Sequence, residues 1–306
     1  MTAPLDIEPP IDAFRGDRVY LGADHARNER RTWIVAGVCL VSLLVQMIGG
    51  LVFHSMALVA GGLHMGAHVA AMVVAAAAYG VARAYAKDQR FAFGTGKIGY
   101  VAGFANAVVL GVTALLIAAE SVQRLITPEP VAYRGAILLA GVGLVINLVC
   151  VALLKPQAVH AHDHDGDLNL SAAHLHLSAD AVVSALTIGG LAAGSYLGWT
   201  WADPLAALAG AGLVGHFAWR LITRAGAVLL DMNPSAELTE EIRGRLQDAD
   251  TRVLDLHLWR LGPGHHAAVV VLQTDKSTPA GAYHARLNGL LGLSHVTIEL
   301  RDPRTA

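Results

Sequence analysis

The sequence predicts an all-α transmembrane domain of six helices, followed by a small α/β domain. Three observations lead to this fold class. First, 54% of the 306 residues are hydrophobic and only 15% are charged, whereas soluble domains are about one quarter charged. Second, six apolar segments each approach the ~20 residues that a helix needs to cross a bilayer. Third, charged residues and strand-like alternation return after Asp231.

The six predicted spans account for residues 32–230, after an N-terminal segment of residues 1–31. Alanine and glycine are abundant in all of them, which favours close helix packing where lipid gives no hydrophobic drive for association. A histidine-containing loop, residues 155–169, separates the fourth span from the fifth. The spans are approximately Thr32–Phe53, Met56–Tyr85, Ile98–Leu125, Ala136–Leu154, Leu170–Leu197 and Ala202–Ile222.

Arginine and lysine positions predict the orientation in the membrane. Five arginines precede the first span, and four basic residues fill the connection between the second and third spans. The connections around His54 and around Trp199–Asp203 contain no arginine or lysine, while Arg124 and Arg134 near the third connection are a mild exception. Because basic connections stay in the cytoplasm, both termini are expected there.

Residues 231–306 are predicted to form a cytoplasmic C-terminal domain. "SAELTEEIRGRLQDAD" begins with a serine suited to cap a helix. "RVLDLHLWRL" and "HAAVVVLQTD" read as strands joined by the turn "GPGH", and "PAGAYHARLNGLLG" and "HVTIELRD" as a helix and a last strand. This αββαβ order is ferredoxin-like.

Two short segments in apolar surroundings, "LHMGAH" (Leu63–His68) and "LHLSAD" (Leu175–Asp180), carry polar residues four positions apart. Residues i and i+4 share one face of a helix, so His64 and His68 project together, as do His176 and Asp180. Side by side, the two helices would offer three imidazoles and one carboxylate. That set suits a tetrahedral divalent transition-metal ion better than Mg²⁺ or Ca²⁺.

A single histidine in a membrane helix is more often a hydrogen-bond partner of a neighbouring helix than a metal ligand. Burial of an ionisable residue in a span is costly, however, and four such residues in two equally spaced boxes favour a metal site. The spacing alone does not establish that the boxes face each other.

Other histidines have weaker claims to metal. His160, His162 and His164 in the loop could collect metal weakly or belong to a solvated linker. In the C-terminal domain, His257 and His284 are candidate metal ligands, although surface histidines there commonly bind no metal. Acidic residues (24) nearly balance basic ones (22), so no nucleic-acid partner is indicated.

Six spans, paired polar boxes in the second and fifth, a histidine-bearing loop and a small α/β tail resemble the cation diffusion facilitator family. "HSMALVAGGLHM", "FAFGTGKIGYVAGFANAVVLG", Asn147 and "WADPLAAL" are similar to its landmarks. His68 stands where many members have Asp, and this HxxxH box with "FGTGK" and "DLHLWRLGPGH" resembles the cobalt/nickel-exporting branch. Gly61 and Gln46 replace acidic residues that many members carry.

The resemblance implies a homodimeric secondary transporter, with no cofactor and no enzymatic activity. It would export Zn²⁺, Co²⁺, Ni²⁺, Cd²⁺ or Fe²⁺ in exchange for protons across a bacterial inner membrane. Independently, imidazole must be neutral to bind metal, so protons and metal ions compete for the same nitrogens.

Other functional classes are less well supported by the sequence. A di-iron desaturase or hydroxylase also uses histidine boxes, but the chain has no HxxHH element. A metalloprotease needs glutamate after the first histidine, where this chain has Met65. The sequence alone is also compatible with a metal sensor that does not transport.

Overall fold

The structure, a computed structural model, describes residues 20–22, 24–52, 56–128, 131–154, 167–274 and 278–302. It does not describe the side chains of residues 50 and 56–64. The chain divides into two compact units. The first comprises Gly22–Arg83 and Lys97–Asp231, and the second comprises the residues from Met232 onward with Ala84–Gly96 and residues 20–21.

The first unit is built of helices that are long and apolar enough to cross a membrane, and the described part of the chain contains six of them. This confirms the predicted fold class. The helices are α1 (His25–Val52), α2 (Met56–Ala84), α3 (Ile98–Ile126), α4 (Tyr133–Leu154), α5 (Leu168–Leu197) and α6 (Ala202–Leu229).

Helix α1 begins seven residues before the predicted first span, within the segment 1–31. Its first turns contain buried Asn28 and Glu29. The Asn28 amide donates to Asp167 at 3.0 Å, and Arg83 pairs with Glu29 at 3.1 Å. Because these polar groups have partners on neighbouring elements, the helix extends beyond its apolar stretch.

One end of the bundle gathers the start of α1, the end of α2 and the starts of α3 and α5, and we call it the basic end. Arg27, Arg30, Arg31, Arg83 and Lys97 lie there. The contacts of Asn28 and Glu29 join three of these helix ends, and Lys97 pairs with Asp231 beyond the end of α6. Helix α3 packs on α6, α5 packs on both α4 and α6, and α1 packs on α4.

At the opposite end, α5 approaches its neighbours too closely for larger side chains. A Cβ atom on Gly190 would lie 2.8 Å from the Asp203 Cα, and one on Gly194 would lie 2.6 Å from the Tyr133 ring. Small residues allow membrane helices to pack backbone against side chain in this way.

The second unit contains α7 (Ala236–Leu246), β1 (Thr251–Gly262), β2 (His265–Thr274), α8 (Ala280–Leu287) and β3 (Leu293–Arg301), in the predicted αββαβ order. Strand β2 lies between β1, which is antiparallel to it, and β3, which is parallel. Ser235 caps α7 by accepting from the Leu238 amide. One face of the sheet packs with both helices around Ile242, Leu272 and Tyr283.

Candidate metal centre

Helices α2 and α5 bring three of the predicted ligands together inside the bundle: His68, His176 and Asp180. The His68 Nδ1 atom lies 3.1 Å from His176 Nε2 and 3.5 Å from Asp180 Oδ2. The third side of the triangle, from His176 Nε2 to Asp180 Oδ2, is 3.3 Å. Two residues one turn apart on α5 thus face one residue of α2.

The size of this triangle matches the coordination shell of a small transition-metal ion. Bonds of about 2.0–2.1 Å to a tetrahedral ion separate the ligand atoms by about 3.3–3.4 Å. The three observed separations lie on both sides of this value. An ion can therefore take up three of its four bonds with little rearrangement of the side chains.

The three side chains are largely withdrawn from solvent, with 2% of His68, 13% of His176 and 15% of Asp180 exposed. The two rings meet edge to face, with centroids 5.1 Å apart. An ion bound here would lose most of its hydration shell, so the carboxylate must offset the positive charge that water no longer stabilises.

Side-chain amides fix the backbone of α2 near the site. Asn106 of α3 donates to the carbonyl of Ala71 at 3.3 Å, and Asn169 of α5 donates to that of Ala75 at 2.8 Å. Both asparagines are buried. His68 lies one turn before Ala71 on the same helix, so these bonds help to hold it against α5.

His64 lies in α2, one turn before His68, as their spacing predicts. Its side chain lies outside the described part of the structure. Within the described residues, the three-ligand cluster of His68, His176 and Asp180 has no further member.

The weaker histidine candidates that the structure describes join no cluster of potential metal ligands. His160, His162 and His164 lie outside the described residues. His257 is exposed on β1, where its Nε2 atom lies 2.8 Å from Asp255, and His284 is exposed on α8. Among the described residues of the C-terminal unit, neither belongs to a group of three or more potential ligands.

Gln46 stands where many family members have glutamate. Its side-chain amide has a hydrogen-bond partner. It is buried in α1 and donates from Nε2 to the Ser42 hydroxyl one turn earlier at 2.8 Å. The nitrogen of this neutral amide thus has a partner within its own helix.

The structure adds a group of polar residues that the sequence analysis did not single out. Asp167 caps α5, accepting from the amides of Asn169 and Leu170, and also binds side chains of α1 and α2. An aspartate directly before an apolar helix is an N-cap signal. That signal could have identified the cap, although it says nothing about partners elsewhere in the chain.

Comparison with known proteins places this architecture in a family. Residues 32–230 match the model of the cation efflux transmembrane domain. The chain belongs to the cation diffusion facilitator family. Among relatives of this facilitator, the zinc transporter ZitB of Escherichia coli (strain K12) is 32% identical over 239 residues, which cover 77% of this chain and 74% of ZitB.

Two further relatives of the facilitator align over nearly the whole chain. The metal cation efflux system protein CzcD of Cupriavidus metallidurans is 28% identical over 295 residues, covering 91% of this chain and 90% of the relative. The cadmium, cobalt and zinc/H(+)-K(+) antiporter of Bacillus subtilis is 25% identical over 292 residues, covering 92% of each.

Membership decides between the functional classes left open by the sequence. This facilitator is an integral membrane protein that exports divalent metal cations, and it is a transporter rather than an enzyme. The di-iron desaturase alternative is therefore not favoured. The metal ion is cargo, and the family needs no cofactor.

Proposed function

We propose that the facilitator binds its cargo with His64, His68, His176 and Asp180. The observation that carries this proposal is the triangle of His68, His176 and Asp180, with ligand atoms 3.1–3.5 Å apart. His64 is included as the fourth ligand because it lies one turn from His68 on α2. A three-nitrogen, one-oxygen set then completes a tetrahedron.

The cargo we propose is Zn²⁺ together with Co²⁺ and Ni²⁺. The names of the relatives support zinc, cadmium and cobalt. His68 adds nitrogen to the set where many family members place a carboxylate, and imidazole suits Ni²⁺ and Co²⁺ as well as Zn²⁺. Cd²⁺ and Fe²⁺ are the remaining candidates on ligand type.

The transport cycle we propose is exchange of the metal ion for protons by alternating access. A relative named as a proton-coupled antiporter supports the exchange. Imidazole nitrogens bind either a proton or the metal, so arrival of protons from one side helps to release the ion. The same residues then carry protons back when the site reopens to the other side.

We further propose that the basic end of the bundle faces the cytoplasm of a bacterium and that the protein is a homodimer in the inner membrane. The excess of basic residues at this end supports the orientation. The domain boundaries proposed are residues 31 and 230. His160, His162, His164, His257 and His284 stay predictions as auxiliary metal sites.

Two measurements test this function. Expression in a metal-sensitive bacterial strain should restore growth on zinc, cobalt or nickel salts, and the strongest rescue identifies the metal. His176→Ala should abolish the rescue, whereas the matched control His174→Ala, two positions away on the same helix, should retain it. Equal rescue by both variants at equal membrane expression would refute the site.

Proton exchange needs a separate experiment with purified protein in liposomes. A pH gradient should drive metal movement, and collapse of the gradient by a protonophore should stop it. If the protonophore does not affect metal movement, antiport is excluded. The proposed metal site would not be contradicted by that result.

A further inference from the structure

Between the metal centre and the basic end, α2 and α5 are joined by two polar contacts, which we call the seam. The Tyr79 hydroxyl donates to Asp167 Oδ2. One turn closer to the metal centre, Asn169 Nδ2 donates to the carbonyl of Ala75 at 2.8 Å. Tyr79 is 3% exposed, and Asn169 and Ala75 are each 1% exposed.

The seam lies on the same helix faces as the metal ligands. Ala75 and Tyr79 follow His68 by seven and eleven positions, which are two and three turns of an α-helix. Asn169 precedes His176 and Asp180 by the same intervals. The seam therefore closes the α2–α5 interface about 10–16 Å from the site, on its basic side.

The two carboxylate oxygens of Asp167 have different partners. Oδ1 accepts from the backbone amides of Asn169 and Leu170 and caps α5. Oδ2 accepts from Asn28 Nδ2 of α1 at 3.0 Å and from the Tyr79 hydroxyl of α2. One carboxylate thus joins three helices, through hydrogen bonds strengthened by its charge.

The network continues from α2 to α1 at two further points. The His25 Nε2 atom contacts the carbonyl of Tyr79 at 2.9 Å, and the two rings meet edge to face. Arg83 pairs with Glu29 one turn further along. The basic ends of α1, α2 and α5 are consequently held as one group.

We infer that Asp167 and Tyr79 form a latch that holds the metal centre closed toward the basic end, with Asp167 as its positioning residue. The inference rests on the proposed function, in which the ion enters from that end. An ion moving along α2 and α5 must part the seam, because Ala75, Tyr79 and Asn169 are almost completely buried there. Asp167, at the basic end of the seam, is partly exposed. Release of the latch opens this route, and its re-formation closes the route behind the bound ion.

The test uses the full-length protein in inverted membrane vesicles, with initial transport rates measured against the concentration of Zn²⁺ or Co²⁺. Tyr79→Phe removes one hydroxyl, and Asp167→Ser keeps a capping oxygen for α5 but removes the acceptor shared by α1 and α2. Tyr196→Phe, which alters a largely exposed tyrosine near the far end of α5, is the control.

Both latch variants should lower KM, by up to about tenfold, because loss of a hydrogen bond to a carboxylate enlarges the fraction of open transporters. They should also lower Vmax, because closure behind the ion is less favourable. Tyr196→Phe should leave both values unchanged. A purely structural role would reduce the amount of folded transporter and hence Vmax, at constant KM.

An unchanged or raised KM in Tyr79→Phe and Asp167→Ser, with normal amounts of monodisperse protein, would overturn the latch. Asp180→Asn in parallel separates this outcome from failure of the proposed site. If Asp180→Asn is inactive and the latch variants keep the wild-type KM, the latch alone is wrong. If Asp180→Asn transports normally, the proposed metal site is wrong.

Discussion

Replacement of Asp180 by asparagine tests the metal centre most directly, because the side chain keeps its shape and loses only its charge. The carboxylate is 15% exposed, and its Oδ2 atom lies 3.3 Å from His176 and 3.5 Å from His68. An ion at this centre and the carboxylate form a buried pair rather than a surface pair. Pairs of that kind lose about 3–5 kcal/mol when one partner is removed, against about 0–1 kcal/mol at the surface.

A loss of about 4 kcal/mol corresponds to roughly a thousandfold weaker binding of the ion. Isothermal titration of detergent-solubilised protein with Zn²⁺ measures this change. Co²⁺ absorption provides a second readout, because tetrahedral Co²⁺ has a distinct visible spectrum that should be lost. Asp24→Asn, which alters a partly exposed aspartate paired with Arg27 outside the site, is the matched control. If the dissociation constant of Asp180→Asn stays within about threefold of the wild-type value, the reasoning is refuted. Such a change is smaller than the loss of about 1 kcal/mol that even a surface pair can show.

Three further predictions concern other parts of the molecule. The Sγ atoms of Cys39 and Cys150 lie 3.9 Å apart between α1 and α4, so oxidation with copper-phenanthroline should join them in a disulfide. Mass spectrometry should show the loss of two hydrogens, and Cys39→Ser should not show it. Ile242→Ala removes a fully buried side chain and should destabilise the C-terminal unit by about 2–5 kcal/mol, measured as faster limited proteolysis of the full-length protein. Hydrogen bonds from Arg90 lower the pKa of Asp88 below its ordinary 3.8. The contact between Asp88 and Arg90 should therefore persist above pH 3.8 and be lost as the pH falls through the lowered pKa. The NMR shift of the Arg90 side chain should report this loss, and Asp88→Asn should abolish the pH dependence.

The spacing within each box could be predicted from the sequence, whereas their meeting could not. Residues four positions apart share a helix face by geometry alone, and this placed His176 beside Asp180. Whether the face of α2 bearing His68 turns toward α5 depends on how the helices pack. The side-chain amides of Asn106 and Asn169 donate to the backbone of α2 from two other helices. Hydropathy along the sequence does not indicate such contacts.

The start of α1 shows the same limit. Hydropathy places the first span after Arg30 and Arg31 because it counts each polar residue as if it faced water. Asn28 and Glu29 instead have partners on other elements, which make their burial tolerable. The C-terminal unit was easier to predict, since its turn and caps are encoded locally: Gly264 takes φ +73° between β1 and β2, and Ser235 caps α7.

Gly190 and Gly194 hold α5 close to its neighbours, so we expect any tilt of the helix to pivot there. Asp180 lies ten residues from Gly190 and Asp167 lies twenty-three, which are about 15 Å and about 35 Å along the helix. If α5 swings about these glycines, a displacement of about 5 Å at Asp167 moves Asp180 by only about 2 Å. That smaller movement is still enough to break a shell whose ligand atoms lie 3.1–3.5 Å apart. On such a tilt, a large opening at the basic end of α5 would become a smaller displacement of Asp180 that is sufficient to release the ion.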